Sequence, residues 1–478
     1  MSDLTASATG KPTLAQQIAL FAADTTFDDL PTEVVESVKM RVLDTLGICV
    51  AASALDTSGS ARRWAEAQGG TAQASAVGVA ELLPANMAAF VNGVLAHSLD
   101  YDDTHLPSVL HPSASVVPAA IAACQANGGD GRELIRAIAI GLEVCVRLGM
   151  AGYDRQSKNS SFFENGQHAT SICGAMGASV AGAIAAGEEA LVADALGVAA
   201  SMASGIIESN RTGGTVKRMH CGWAAHAGLS AAQLVSFGLT GPPTVLEGRF
   251  GFFQAWLHGR FNASEITDGL GHTWSVPDVF FKPYPANHFT HAAIDAGAEL
   301  RRSGLSVDQV DRLVLGVPAP ALRTIGEPIE VKRAPDTGYM AQFSGPYAVI
   351  AGLLGGSGLE VGLDDFTDEL ARDDTRRELM QKVEVIADDR CTAIFPHQFP
   401  AILTAHLNNG EVVTSSILTN RGGPERPLSF EELTAKFRDN ASRHLDDESV
   451  SGLADRCRTL ENQTDIAVMM NPLSLIDL

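Results

Sequence analysis

The chain has few cysteines, the residue that disulfide frameworks and thiolate metal centres require. Its 478 residues include seven cysteines and no C-x-x-C pair. The cysteines are Cys49, Cys124, Cys145, Cys173, Cys221, Cys391 and Cys457. An odd number of widely spaced cysteines argues against a disulfide framework, and no zinc or redox motif is present. The sequence therefore favours a reducing, cytoplasmic location.

Long apolar runs and an excess of basic residues are also lacking. No run approaches the roughly 18 apolar residues that a membrane-spanning helix needs. The N-terminal "MSDLTASATGKPTLAQQ" has no basic region followed by an apolar core, so it does not indicate a signal peptide. With 56 acidic and 34 basic residues, the net charge of −22 repels nucleic acid and anionic membranes. We expect neither as a partner.

Aromatic residues make up only 6% of the chain, and alanine and glycine dominate its first half. The spacing of apolar residues in "TEVVESVKMRVLDTLGICVAAS" (32–53) predicts an amphipathic helix. Small residues in "HATSICGAMGASVAGAIAAG" (168–187) predict a helix that neighbours approach closely. These patterns predict a large domain made entirely of helices.

The pattern changes near residue 275. Alternating apolar residues predict strands in "QVDRLVLGVPAPAL", "QKVEVIADD" and "EVVTSSILT", the last preceded by a hairpin turn in "LNNGE". The C-terminal part returns to helix, with a capping box formed by Ser429 and Glu432. The predicted fold is mostly α, with a large, discontinuous helical domain and a smaller α+β lid domain. The predicted boundaries are 1–277 and 423–478 for the helical domain and 278–422 for the lid.

The stretch "HSLDYDDTHLPSVLHPSAS" (97–115) concentrates three aspartates and three histidines between two apolar segments. It can be a helix end followed by a solvated polar loop. Carboxylates and imidazoles also bind divalent cations, although no established metal-site spacing is present. A third interpretation is an acid–base site in which carboxylates orient histidines. The residues alone leave all three open.

Two further stretches place lysines beside irregular backbone. In "NRTGGTVKRMHCGWAAHAG" (210–228), Lys217 and Arg218 follow a glycine pair, which suits either a carboxylate or phosphate seat or a solvated helix start. In "FFKPYPANHFTHAAIDA" (280–296), Lys282 precedes two prolines at the expected domain boundary. It is either an acid–base lysine or an ordinary lysine at a hinge.

Taken in order, these stretches resemble the MmgE/PrpD family over nearly the whole chain. The similarity is carried by "NGVLAHSLDYDDTH…HPSASVVPA", "TGGTVKRMHCGWAAHAGLSAAQLV", "FKPYPANHFTHAAIDA" and "VKRAPDTGYMAQFSGPYAV". The family includes 2-methylcitrate dehydratase, cis-aconitate decarboxylase and iminodisuccinate epimerase. The resemblance implies a homodimer with a helical domain, a smaller lid domain, and a site between them.

The resemblance also implies which residues act. The implied catalytic residues are Asp100, His111, His168, Lys217 and Lys282. The candidate substrate-binding residues are Thr104, Asp103, Arg218 and Arg333. The decarboxylase branch carries a tyrosine just before the segment matching "EVKRAP", where this chain has Ile329 or its neighbours.

We expect a lyase that acts on a small di- or tricarboxylate without metal or organic cofactor. Lysines would hold the carboxylates and stabilise developing charge, while histidines transfer protons at the adjacent carbon. The leading hypothesis is a hydro-lyase similar to 2-methylcitrate dehydratase. The alternatives are a decarboxylase of an aconitate-like acid, an iminodisuccinate-type epimerase, a metal-dependent hydrolase built on the Asp/His stretch, and a binding protein without catalysis.

Overall fold

The computed structural model describes residues 11–209, 214–474 and 476. The chain divides into two compact units: Met1–Val279 together with Asn440–Leu478, and Phe280–Asp439. The architecture is mostly helical with a smaller α+β region, which confirms the predicted fold class. In the described part of the chain, no helix is both long and apolar enough to cross a membrane.

The first unit is built from helices whose apolar faces are buried against one another. In chain order these are α1 (Leu14–Asp24), α2 (Thr32–Ala52), α3 (Asp56–Gln68), α4 (Ala85–Ala96), α5 (Ser113–Asn127), α6 (Gly131–Ala151), α7 (Ser161–Glu164), α8 (Ala169–Ala185), α9 (Val192–Met202), α10 (Val216–Ser236), α11 (Phe252–Leu257) and α12 (Ser264–Thr267). The predicted helix at 32–53 is α2, and every residue of α8 is buried. The prediction of a purely helical domain misses a two-residue antiparallel pair, β1 (Tyr153–Asp154) with β2 (Asn159–Ser160).

Two glycines let α4 and α10 approach closely. A Cβ placed on Gly93 of α4 would lie 2.8 Å from the Cα of Gly222 in α10, too close for any side chain. Small residues thus bring the C-terminal end of α4 and the N-terminal turns of α10 together. The polar groups at these two helix ends are the ones that form the candidate site.

The second unit contains a four-stranded sheet with the order β4–β3–β5–β6. Its strands are β3 (Val310–Val317), β4 (Val383–Ala387), β5 (Ala401–Leu407) and β6 (Val412–Ile417). β3 is parallel to β4 and antiparallel to β5, and β6 pairs antiparallel with β5. The three predicted strands are confirmed as β3, β4 and β6.

Helices of varied length accompany this sheet. They are α13 (His291–Arg302), α14 (Ala319–Ile325), α15 (Ile329–Lys332), α16 (Gly338–Ala341), α17 (Gly345–Leu354), α18 (Asp368–Arg372), α19 (Asp374–Gln381) and α20 (Asp389–Ile394).

Single 3₁₀ turns occur in both units. They lie at Phe27–Asp29, Glu189–Leu191, Val276–Asp278, His288–Thr290, Val307–Gln309, Leu363–Asp365 and Leu460–Asn462.

The C-terminal helices are α21 (Phe430–Ala441), α22 (Asp447–Arg458) and α23 (Ile466–Ser474). The predicted capping box precedes α21: the Ser429 N–H donates to Glu432 at 2.8 Å, and the Glu432 N–H donates to the Ser429 hydroxyl at 3.1 Å. The second unit extends to Asp439, beyond the predicted lid boundary at 422. Within it, Lys436 donates from Nζ to the Lys282 carbonyl at 2.8 Å, which ties α21 to the start of the unit.

Candidate active site

The aspartate- and histidine-rich stretch forms a folded loop that begins where α4 ends. His97 caps α4, and Asp100 adopts a left-handed conformation with φ 53°, which aspartate tolerates better than most residues. His105 and Leu110 exchange backbone hydrogen bonds of 2.8 and 3.3 Å. This bridge folds the loop back on itself, so that His111 returns to the residues that precede His105.

His111 is fixed by backbone and side-chain groups of this loop. Its Nδ1 lies 2.7 Å from the carbonyl oxygen of Asp103 and 3.4 Å from the Thr104 hydroxyl. A carbonyl oxygen only accepts, so Nδ1 carries the hydrogen and a second ring proton would sit on Nε2. The His111 backbone N–H donates to the Thr170 hydroxyl of α8 at 3.2 Å. The structure therefore brings the predicted residues Thr104 and His111 together.

His97, the residue at the end of α4, is paired with a carboxylate. Its Nδ1 lies 2.6 Å from Asp102 Oδ2, and both side chains are buried, with exposures of 0% and 4%. A charge-assisted hydrogen bond of this length holds the imidazole ring in one orientation. Asp102 Oδ2 also lies 3.8 Å from His111 Nδ1. One carboxylate therefore faces two imidazoles.

His168 and His220 form a direct imidazole–imidazole hydrogen bond. Their Nδ1 atoms are 2.8 Å apart, so one ring donates and the other accepts. Burial, followed by His97, His220 and Lys217, lowers the pKa of His168 well below its usual range. Burial, with His97 and Lys217, lowers the pKa of His220 to about 4. Near neutral pH both rings are uncharged and can accept a proton.

These four rings form one group, here called the histidine cluster (His97, His111, His168 and His220). The centroid of the His97 ring lies 5.2 Å from that of His111 and 5.8 Å from that of His168. The centroids of His168 and His220 are 4.7 Å apart. The cluster joins the end of α4, the loop after it, and the N-terminal ends of α8 and α10.

A lysine and an aspartate lie beside the histidine cluster. Lys217, in the first turn of α10, has its Nζ 3.5 Å from Asp100 Oδ1. The lysine side chain is partly exposed and the aspartate is buried. Lys217 precedes His220 by three positions on α10, so their side chains share one helix face, and Lys217 contributes to lowering the pKa of both His168 and His220. Both predicted residues, Asp100 and Lys217, thus belong to this group.

Asp103 faces a buried arginine. Its Oδ2 accepts from Arg41 at 2.6 Å and also from the Ser113 hydroxyl, while Oδ1 accepts from the Ser113 N–H at 3.2 Å. Arg41 also donates to the carbonyls of Val276 and Val279. These bonds occupy the carboxylate that the sequence analysis assigns to substrate binding. The geometry favours a supporting role, in which the Asp103 carbonyl holds His111.

The other predicted cations have structural contacts. Arg218 donates to the Thr57 hydroxyl at 3.1 Å within the first unit. Arg333 donates twice to the Val383 carbonyl in the second unit, at 2.9 and 2.7 Å. Lys282 also lies in the second unit, with its side chain almost fully buried. The roles assigned to these three residues stay predictions.

The metal-site interpretation has one candidate group among the described residues. Donor atoms of His97, Asp102 and Cys221 lie within 4.8 Å of one another. A thiol binds a metal as the thiolate, but burial raises the pKa of Cys221 far above its usual range. His97 Nδ1 is already engaged by Asp102. The chemistry of this donor set does not favour a metal ion.

Four residues of this region were not among the predicted site residues: His97, Asp102, His220 and Arg41. A signal existed for His220, because it follows Lys217 by three positions on one helix and so shares its face. His97 and Asp102 lie within the stretch singled out in the sequence, but nothing there distinguishes them from their neighbours. Arg41 lies 62 residues before Asp103, and no local pattern reveals that contact.

Two family models match the chain. The MmgE/PrpD N-terminal domain matches residues 16–264, and the MmgE/PrpD C-terminal domain matches residues 284–460. The first match contains the whole histidine cluster, Asp100 and Lys217. The second contains Arg333, and Lys282 lies just before it.

Curated relatives match along almost the whole chain. Cis-aconitate decarboxylase of Mus musculus is 29% identical over 446 residues, covering 90% of this chain and 87% of that protein. The Homo sapiens enzyme of the same name is 29% identical over 462 residues, covering 92% and 90%. Cis-aconitate decarboxylase of Aspergillus terreus (strain NIH 2624 / FGSC A1156) is 25% identical over 502 residues, covering 99% and 98%.

Proposed function

The chain belongs to the MmgE/PrpD family, and from that premise we propose that it is a lyase acting on a small di- or tricarboxylate by proton transfer at the carbon next to a carboxylate. The first candidate reaction is decarboxylation of an aconitate-like tricarboxylate. The family resemblance makes a hydro-lyase the leading hypothesis, but the curated relatives carry the name cis-aconitate decarboxylase and move the preference to a carboxy-lyase. No metal or organic cofactor takes part in the proposed reaction.

One observation carries the proposal: neutral, hydrogen-bonded histidines lie next to a lysine. His168 and His220 share a 2.8 Å hydrogen bond, and their lowered pKa values keep them uncharged. Lys217 supplies a positive charge within reach of a carboxylate. This combination suits a reaction that binds an anion and moves a proton.

The proposed decarboxylation needs one proton and balances as follows. In cis-aconitate, the carboxylate on the CH₂ group is β,γ-unsaturated. Its C–C bond breaks and that electron pair forms a new double bond, while the old double bond takes a proton at its CH carbon. Carbon dioxide leaves, so one proton is consumed in each turnover. The enzyme must therefore supply a general acid and regain its proton from water.

We assign His111 as the proton donor in this scheme. Its Nδ1–H is held by the Asp103 carbonyl, so the transferable proton is the one on Nε2. Its side chain is 12% exposed, which gives it a route to solvent that the completely buried His97 ring lacks. Lys217 holds a substrate carboxylate and offsets the negative charge that develops near the reacting carbon. Lys282 is proposed as a second carboxylate-binding lysine.

Dehydration of a hydroxylated tricarboxylate is the second candidate. Elimination of water needs a base at carbon and an acid at the leaving hydroxyl, and the site offers both neutral imidazoles and a lysine. This chain also has Ile329 or its neighbours where the decarboxylase branch carries a tyrosine. Because of that difference, the substrates of a hydro-lyase are included in the test.

The test is an incubation of purified, chelator-treated enzyme with cis-aconitate, 2-methylcitrate, citrate and iminodisuccinate in deuterated water. Proton NMR follows each acid. We expect cis-aconitate to lose carbon dioxide and to gain one deuterium at the former vinylic carbon. A vinyl product from 2-methylcitrate or citrate would identify a hydro-lyase instead. Deuterium exchange at an α-carbon of iminodisuccinate would identify an epimerase. No change in any of the four acids would contradict the proposed function.

A Lys217→Ala variant connects this activity to the site. We expect kcat/KM to fall about 10²- to 10³-fold, because a charge that stabilises the transition state is lost. The matched control is Lys158→Ala, which removes an exposed lysine of the same unit. If both variants retained wild-type turnover, the reaction would not take place at this site.

A further inference from the structure

His97 lies at the centre of the histidine cluster, although the resemblance assigns it no role. Its ring centroid is 5.2 Å from that of His111 and 5.8 Å from that of His168. It is thus the ring that connects the loop histidine to the histidine at the start of α8. The side chain is completely buried.

The environment of the His97 ring is asymmetric. Its Nδ1 lies 2.6 Å from Asp102 Oδ2, and since the carboxylate accepts, this nitrogen carries the hydrogen. Its Nε2 is buried and has no hydrogen-bond partner in the part of the chain that the structure describes. A buried polar nitrogen without a partner costs about 1–3 kcal/mol, so its retention calls for an explanation. The explanation lies in the groups around it.

Titratable groups from three neighbouring elements lie near this ring. They are Asp102 and His111 from the loop, His168 from α8, and His220 and Cys221 from α10. After burial, His97 is the largest cause that lowers the pKa of both His168 and His220. A substitution of His97 is therefore expected to change the pKa values of His168 and His220 without altering either of those side chains.

We propose that His97 is a positioning residue that is held in place by Asp102 and acts through His111 and His168 during proton transfer. This inference rests on the proposed function, since it concerns the same reaction. Asp102 fixes the tautomer and orientation of the His97 ring, which leaves Nε2 as the atom that faces the site. Burial, and after it the His97 ring, lowers the pKa of His168 and so disfavours a positive charge there, while His111 exchanges its proton with solvent.

A purely structural role makes a different prediction. A buried histidine that only fills space would affect the free energy of unfolding, and kcat would fall only in proportion to the unfolded fraction. A positioning residue lowers kcat with little change in KM or melting temperature. The two roles are therefore separated by kinetics measured on fully folded protein.

The kinetic test uses His97→Asn. The asparagine amide can replace the Nδ1–H donor to Asp102, whereas nothing replaces Nε2. We expect kcat to fall on the order of 10²-fold, KM to change by less than about threefold, and the melting temperature to stay close to the wild-type value. The substrate is whichever acid of the panel the wild-type enzyme converts.

The matched control is His105→Asn. His105 is buried in the same loop, and its Nδ1 contacts the Ser108 hydroxyl at 2.6 Å, much as His97 contacts Asp102. We expect a wild-type kcat from this variant. Equal kcat losses in both variants, or a kcat of His97→Asn within about threefold of wild type, would overturn the inference.

A second variant and a second measurement guard against misfolding and against failure of the proposed function. Asp102→Asn keeps an acceptor for His97 and removes the charge, so kcat should fall while the fold is retained. Histidine ¹⁵N NMR does not depend on turnover: in His97→Asn, the pKa of His220 should rise from about 4 toward its ordinary value. If the wild type converts none of the acids, the proposed function fails. If the His220 titration does not move, the inference about His97 fails.

Discussion

Two regions of the molecule, the network around Asp295 in the second unit and the histidine cluster in the first, bury their titratable groups in different ways. In the second unit, Asp295 accepts from Tyr284 at 2.6 Å and from Arg426 at 2.8 Å, and Arg421 donates to Glu432 at 2.6 Å. Burial and Asp295 raise the pKa of Tyr284 well above its usual range. Each of these groups has an opposite charge or a hydrogen-bond partner beside it, as expected for a network that stabilises structure.

In the first unit, the histidine cluster places groups of the same kind together. Imidazoles contact imidazoles, and His168 and His220 hydrogen-bond to each other instead of to a counter-ion. Such an arrangement adds little stability, but it allows protons to move between groups of similar basicity. The comparison separates a network of paired opposite charges, to which we assign a structural role, from the histidine cluster, to which we assign proton transfer.

The largest effect on stability is expected from the ion pair that supports the cluster. Arg41→Met leaves Asp103 as a buried, uncompensated carboxylate, which should lower the free energy of unfolding by about 3–5 kcal/mol. Urea denaturation measures this loss. The control is Arg312→Met, which breaks the exposed pair with Glu384 and should cost less than about 1 kcal/mol. Equal losses would remove the distinction between buried and exposed pairs.

A smaller effect is expected at His168, and it concerns the rate of the reaction and not the free energy of unfolding. His168→Asn should lower kcat about 10²-fold, because it removes a neutral base that faces its partner His220. The melting temperature should change little, since no charged pair is broken. Steady-state kinetics and thermal denaturation of the same preparation check both parts. A large loss of stability with unchanged kcat would assign this histidine to the scaffold.

In the second unit, we expect a substitution to reduce stability without reducing kcat. Asp295→Asn keeps an acceptor for Tyr284 and weakens the bond to Arg426, which should reduce the free energy of unfolding by about 1–2 kcal/mol. For the folded enzyme, kcat should remain within about twofold of wild type. A kcat loss comparable to that of His168→Asn would show that the second unit's network also takes part in the reaction.

A pH dependence of stability is also expected, and it is negligible near pH 7 and grows only in acid. Burial, then Arg41, lowers the pKa of His105 to about 4, and burial lowers that of His220 to a similar value. A lowered pKa means that the unfolded chain binds these protons first. Stability is therefore complete above about pH 6.5 and decreases as the pH falls toward 4, by up to about 1.4 kcal/mol per pH unit for each histidine.

Melting temperatures measured between pH 7 and 4.5 test this dependence. In His105→Asn, the melting temperature should fall less steeply with decreasing pH, because one of the titrating histidines has been removed. The kcat should stay unchanged. A slope identical to that of the wild type would mean that His105 is protonated in the folded protein.

The fold could be predicted where local patterns determine structure. Apolar spacing gives α2, alternation gives β3 and β6, and a polar pair gives the capping box before α21. The strand β5 is not among the predictions, because "AILTAHL" is an apolar run without regular alternation. The short pair of β1 and β2 is too small to leave a periodic signal.

The site could be predicted only in part for a similar reason. Motif resemblance provided Asp100, His111, His168 and Lys217, which the structure brings together. It could not separate Asp102, which pairs with His97, from Asp103, which pairs with Arg41. These adjacent carboxylates differ only in which long-range partner they meet, and that information arises from helix packing.

The central claim is that the histidine cluster and Lys217 carry out acid–base chemistry on a carboxylate. The most direct test is the rate of carbon dioxide release from cis-aconitate by the wild type and by Lys217→Ala, each verified as folded by its melting temperature. We expect release by the wild type and a rate at least about 10²-fold lower in the variant. Equal rates, or no release by the folded wild-type enzyme, would contradict it.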